Sequence, residues 1–197
     1  MNIWFSSDWH ISHANIAGLN TSKWKSGYRD FENVHEMNKC ITQNLNKYVK
    51  YDDILYFLGD FCFGGHQKTP DYRAQINCQN IHVCRGNHDN HIDLYKDSFS
   101  SMQDVLTVKH GKHTFFLSHY AHRVWYGSHK GVIHLYGHSH DSLDKNNQLW
   151  GKSMDCGIDS AYRILGEYRP FSVEEIISIM DKREVKFVDN HDKNTNI

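Results

Sequence analysis

Three short apolar runs constrain this chain more than any other feature, because each stops abruptly on a block of acids, amides and imidazoles. Residues 2–7 (NIWFSS), 53–58 (DILYFL) and 80–84 (NIHVC) have the length and content of buried strands. Between the first two, Val34, Met37, Ile41, Leu45, Tyr48 and Val49 keep three-to-four spacing, which predicts an amphipathic helix over 33–50. A second helix is expected near 70–78. Strand, helix, strand, helix, strand requires parallel pairing through crossovers. The second half changes rhythm. MQDVLTV and TFFLSH, joined by HGKH, read as a hairpin, GVIHLYG as another strand and QLWGKSMDCG as one more. Ser172 with Glu175 three residues on caps a helix through Ile176, Ile177, Ile179 and Met180. EVKFV is expected as a last strand before a polar tail from about residue 190. The 197 residues suffice for one core and are few for two, so residues 1–197 are read as a single α/β domain.

In open α/β sheets, ligands collect beyond the carboxyl ends of strands. Here those ends carry Ser7-Asp8-Trp9-His10, Gly59-Asp60, Arg85-Gly86-Asn87-His88-Asp89, Ser118-His119 and Gly137-His138-Ser139-His140. Alternation along an extended segment would aim Asp8 and His10 the same way. A glycine before Asp60, Asn87 and His138 suits a sharp turn or a close backbone approach. Each block alone is unremarkable: an Asp after a strand often caps a helix, and a pair of histidines is often a solvated loop. Together they supply oxygen and nitrogen donors without sulfur, the set that two hard or borderline divalent cations require. Two ions bring +4, Asp8 and Asp60 remove two charges and a hydroxide a third, which leaves roughly +1 to attract a phosphate ester. Phosphoester hydrolysis by in-line attack is the reaction this chemistry supports.

Composition narrows the partners. A net charge of −1 offers no global attraction to nucleic acid or to an anionic membrane. No apolar run reaches the ~18 residues of a membrane span, and the first residues resemble no signal segment. The five cysteines (40, 62, 78, 84, 156) are odd in number and lack CxxC spacing, as expected of free thiols in a reducing cytoplasm, or a host cytoplasm if the gene is viral.

DWH, GD, GNHD, SHY and GHSH, in that order over residues 8 to 140, resemble the five-block signature of the calcineurin-like metallophosphoesterases. SDWHISHANI, RDFENVHEMN, LGDFCFG, LSHYAHRVW and GIDS…YRPFSVEEI resemble compact bacterial and phage members. The resemblance implies a four-layer α/β/β/α sandwich. It implies one cation held by Asp8, His10, Asp60 and His140, and another held by Asp60, Asn87, His119 and His138. His88 would face the substrate as an acid or a stabilising cation, oriented by Asp89. Mn2+ is taken first, with Fe2+, Zn2+ or Ni2+ equally suited to such donors. Phe63 stands where purple acid phosphatases place a tyrosine, and the chain has no room for the extra parts of the large nucleases of the superfamily.

The leading expectation is a phosphodiesterase acting on a small nucleotide, a cyclic one first, or on a related diester. A phosphomonoesterase, a nuclease on single-stranded or structured nucleic acid, and a non-catalytic adaptor keeping the fold are the alternatives. Arg123, His122, His13 and Arg29 are the candidate substrate contacts. His134 and His129 are read as structural, and Cys62 as packing.

Overall fold

The computed structural model describes residues 1–65, 67–146 and 150–187. The expected run of strands and crossovers forms as β1 (Ile3–Ser6), α1 (Ala14–Ala17), α2 (Val34–Tyr48), β2 (Ile54–Phe57), α3 (Lys68–Arg73) and β3 (Asn80–Cys84). α2 starts where its cap allows: the Asn33 side chain accepts the His35 and Glu36 N–H groups at 2.9 and 3.0 Å. α3 is shorter than expected and begins earlier.

Next come β4 (Ser101–Gln103), β5 (Val105–His110), β6 (His113–Ser118) and β7 (Ile133–Tyr136). MQDVLTV, read as one strand, is split at Asp104. β4 pairs parallel to β3, whereas β5 makes the expected hairpin with β6. The chain changes sheets at that residue. α4 (Ser142–Lys145), β8 (Ser153–Asp155), α5 (Ile158–Leu165), β9 (Phe171–Ser172) and α6 (Val173–Met180) complete the order. α6 carries the expected capping box between Ser172 and Glu175. The strand expected at EVKFV does not form over 184–187, and its last residue and the polar tail lie outside the described residues.

The strands form two sheets, β4-β3-β2-β1-β9 and β5-β6-β7-β8, parallel except at β9 and β5. Strands buried on both faces explain the nearly continuous apolar runs. Trp4, Leu55, Phe57, Ile81 and Val83 meet Met37, Ile41 and Leu45 of α2 on one face of the first sheet. On the other face Phe5 and Cys84 pack against Phe115, Leu117, Ile133, Leu135 and Met154 of the second sheet, with Ile176 and Met180 of α6 in the same cluster. The Phe5 and Phe115 rings lie 5.2 Å apart. These contacts establish helix on sheet on sheet. The outer face of the second sheet is met by Trp125 and Trp150 against Phe116, and by α4 through the Tyr136 hydroxyl bonded to Asp144 at 2.8 Å. No helix among the described residues is long and apolar enough to cross a membrane, and all five cysteines are free thiols.

Phe115 sits at the centre of the sheet-to-sheet contact and is fully buried. Phe115→Ala is expected to cost about 3–5 kcal/mol, read as a lowered urea midpoint with an unchanged slope. A loss below about 1 kcal/mol would place the core elsewhere.

Candidate metal centre

The five blocks converge because the backbone folds back at each strand exit. Asp8, His10, Asp60, His138 and His140 all have left-handed φ, from 45° to 63°, and only Ser12 and Asp141 join them among the described non-glycine residues. Such residues cost of order 1–3 kcal/mol each and persist where surrounding structure over-determines them. Asp8 and His10 therefore converge through strained turns, and the expected alternation along an extended segment is not what aims them. The Asp8 and His10 N–H groups donate to the carbonyls of Gly59 and Asp60 at 2.9 and 3.0 Å, which zips the first block to the second.

The glycines allow the loops to interpenetrate. A Cβ on Gly59 would lie 2.5 Å from the Gly86 nitrogen, and one on Gly86 would lie 2.1 Å from Asp60 Oδ1. A Cβ on Gly137 would lie 2.0 Å from Ser7 Oγ and 2.3 Å from Asp8 Oδ2.

The donor atoms then meet. Asp60 Oδ1 accepts the His88 N–H at 2.9 Å. Its Oδ2 lies 3.5 Å from His10 Nε2 and 3.6 Å from His119 Nε2. Asp8 Oδ2 accepts the His138 N–H at 2.9 Å. Asp8 Oδ1 is buried without a hydrogen-bond partner, 3.7 Å from His10 Nε2 and 3.9 Å from His140 Nε2. His10 Nε2 and His140 Nε2 are 3.1 Å apart. Asn87 Oδ1 is 2.9 Å from both His119 Nε2 and His138 Nδ1. Two groups, Asp8 with His10 and His140, and Asp8 with Asp60 and His119, each bring one ligand atom per residue within 4.8 Å of the others.

Outer partners aim two of the imidazoles. His119 Nδ1 is 2.7 Å from the Leu58 carbonyl and His140 Nδ1 is 2.7 Å from Asp159 Oδ2. Each Nδ1 must donate there, which turns Nε2 toward the cluster. Burial pushes the Asp60 carboxyl up to about 6 against the pull of His119. Burial also raises Asp8, but His10, His140 and His119 outweigh it and hold the carboxyl at about 2. His10 is pushed down to about 4 by burial. Burial lowers His140 too, yet its bond to Asp159 and the charges of Asp8 and Asp159 lift it to about 9. An unpartnered buried carboxylate oxygen facing imidazole nitrogens fits a divalent cation by donor type and by charge.

The structure thus brings Asp8, His10, Asp60, Asn87, His119, His138 and His140 together, with His88 at the rim. The exposed His88 ring packs 4.7 Å from Phe63 and 5.5 Å from His10, centroid to centroid. Asp89 does not orient it: its carboxylate accepts the N–H groups of Asp60, Phe61 and Gly86 at 2.8–2.9 Å and ties two loops together. Arg29 is no substrate contact either. It is 3% exposed, and its donors go to Asp159, the Asp8 and Trp9 carbonyls and Met37 Sδ. The Arg123 guanidinium lies over Trp150, on the outer face of the second sheet. His13 does flank the cluster, 3.9 Å from Phe63, 5.6 Å from His10 and 5.4 Å from Trp24. His122 lines a cavity of about 360 Å³ with Asn87, His119 and Tyr120. His134 is fully buried, accepting the His122 N–H at 2.9 Å, and is structural as expected.

Two carboxylates were not anticipated. Asp155 closes β8 and accepts Ser139 Oγ, the Asp141 N–H and the Gly157 N–H, which holds the loop carrying His138 and His140. Asp159 stands in the first turn of α5. Asp155 ends a strand, close to where Asp8 stands after β1, and that position is the available signal.

No family model matches the chain. It is similar to an uncharacterised protein of Methanocaldococcus jannaschii, 28% identical over 186 residues, 93% of each chain. The Gene 66 protein of Mycobacterium phage D29 is 23% identical over 81% of this chain and 88% of its own. A solved structure of a protein of unknown function from Aquifex aeolicus superposes with a TM-score of 0.64 at 23% identity, covering 90% of this chain and 98% of that one. The last likeness shows a shared fold.

Gly137→Ala tests the interpenetration of the loops. The added methyl is expected to cost about 1–3 kcal/mol in urea unfolding and to weaken Mn2+ uptake in a titration. Wild-type values in both measurements would mean that the loops do not approach this closely.

Proposed function

We propose that this chain is a two-metal phosphoester hydrolase of the calcineurin-like type, acting in the cytoplasm on a small nucleotide-like diester. The observation that carries the reading is Asp60 Oδ2, placed between His10 Nε2 and His119 Nε2 beside the unpartnered Asp8 Oδ1. Asp8, His10, Asp60 and His140 would hold one cation, and Asp60, Asn87, His119 and His138 the other, with Mn2+ first among the ions such donors suit. When bound, the pair supplies Lewis acidity toward a phosphoryl oxygen and toward water.

The chain's own residues do the rest. Asn87, His88 and His138 are the exposed members, so the phosphate approaches from their side while Asp8, His10, Asp60 and His119 stay buried beneath. The His88 backbone N–H fixes Asp60, and its imidazole is free to give a proton to the leaving oxygen. Packing against Phe63 and His10 aims that ring. Phe63, His13 and Trp24 continue as a row of rings on the same flank, and Trp24 is 44% exposed. Burial first, then the charge of His88, pushes His13 down to about 4, so at neutral pH its ring is uncharged. A flat base beside the phosphate suits that wall, which favours a nucleotide over an aliphatic ester.

Asp60→Ala is expected to abolish both Mn2+ uptake and turnover of bis-p-nitrophenyl phosphate. His88→Ala should retain the metal and lose about 10²–10⁴-fold in kcat. Equal metal loss in both variants contradicts the separate roles, and faster cleavage of the p-nitrophenyl monoester makes the protein a phosphomonoesterase. Trp24→Ala is expected to raise KM for a 2′,3′-cyclic nucleotide about tenfold while sparing dimethyl phosphate. An unchanged KM removes Trp24 from the substrate side.

A further inference from the structure

Arg29 and Asp159 lie 130 residues apart and meet beneath the cluster through two hydrogen bonds, Nε to Oδ1 at 2.7 Å and Nη2 to Oδ2 at 2.9 Å. Both ends of this pair touch the candidate centre. Asp159 Oδ2 also accepts from His140 Nδ1 at 2.7 Å. Arg29 Nη2 also donates to the Asp8 carbonyl at 2.6 Å, and Nη1 to the Trp9 carbonyl at 3.0 Å. These are the carbonyls of the turn in which Asp8 and His10 take left-handed φ of 56° and 47°. One guanidinium therefore grips the strained turn that supplies Asp8 and the carboxylate that aims His140.

We propose that the buried Arg29 and the half-buried Asp159 are a positioning pair, setting the turn of Asp8 and the ring of His140 so that both present their donors to one cation. The proposal rests on the metal-binding reading above. Neither residue faces substrate, since Arg29 is buried and Asp159 lies behind the His140 ring. Three features separate this pair from an ordinary core ion pair. First, the fork geometry is used in full: each donor nitrogen of Arg29 has a partner, which a lysine cannot reproduce. Second, Asp159 fixes the His140 tautomer with Nε2 inward, and a carboxylate in that place makes the imidazole a stronger ligand. Third, the bracing is one-sided. His119 leans on the neutral Leu58 carbonyl, and His10 Nδ1 has no hydrogen-bond partner. Of these three imidazoles, His140 is the one with a charged support.

The test uses the full-length protein, stripped of metal and titrated with Mn2+, together with Asp159→Asn and Arg29→Lys. Asp159→Asn is expected to weaken the first Mn2+ equivalent about 10–100-fold. It should also erase the downfield Nδ1–H proton resonance of His140, a signature that a purely structural pair would not control. Arg29→Lys keeps the buried positive charge but loses the fork, and should weaken Mn2+ by a smaller factor while the metal-free protein still unfolds cooperatively. That variant decides the matter if Asp159→Asn fails to fold. Wild-type Mn2+ affinity in a folded Asp159→Asn protein, or in Arg29→Lys if that is the variant that folds, overturns the positioning role alone. A wild-type protein that takes up no Mn2+ overturns the metal reading, and the positioning role with it.

Discussion

Seven donors from five separate loops can lie within 4 Å of their neighbours only if the loops occupy nearly the same space. Glycine makes that possible. The Cβ positions of Gly59, Gly86 and Gly137 would each overlap a neighbouring loop at 2.5 Å or less, so these residues are required for what they lack. The contacts are reciprocal. Gly86 makes room for the Asp60 carboxylate, and Gly137 makes room for Asp8. Each loop is shaped by the ligand of another.

The two-sheet architecture serves the same end. β1, β2 and β3 are parallel and discharge Asp8, Asp60 and Asn87 at one end of the first sheet, while the parallel β6 and β7 discharge His119 and His138 from the second. Neither sheet alone holds a complete set of donors. The change of sheet at Asp104 brings the two strand ends together, because β4 completes the first sheet and β5 opens the second with one residue between them. The packing of Phe5 on Phe115 locks the relation between the sheets.

The donors were legible because a buried strand that stops on a glycine and a polar residue is a local pattern, readable without knowing what the strand packs on. The helix at Asn33 and the capping box at Ser172 are local in the same way. What escaped was non-local. Nothing near Asp104 says that the chain leaves one sheet for another, since Met102 and Val105 read as one apolar run. Arg29 looked like a loop cation available to substrate, and its burial depends on Asp159, a residue 130 positions on. The resemblance pairs Asp89 with His88, yet three backbone N–H groups from two loops claim its oxygens. Buried carboxylates go where unpaired N–H groups are.

The same accounting separates structural acids from functional ones. Asp89 and Asp155 are buried, and both oxygens of each accept hydrogen bonds from the chain. Asp159 has a guanidinium. Asp8 and Asp60 are different: one oxygen of each accepts a single N–H, from His138 and His88, and the other faces imidazole nitrogens. A buried carboxylate left half-satisfied is expensive. His10, pushed by burial to about 4, brings no charge to offset it at neutral pH. The cationic support comes from His140, lifted to about 9, whose Nε2 is 3.9 Å from Asp8 Oδ1. Arg29 lies close by but is committed to Asp159 and to backbone carbonyls. The oxygen left without a hydrogen-bond partner is Asp8 Oδ1, and beside it Asp60 Oδ2 faces two imidazole nitrogens at 3.5 and 3.6 Å. A fold that merely needed carboxylates there would have given them donors, whereas an oxygen left bare, as Asp8 Oδ1 is, suits a site built for a cation.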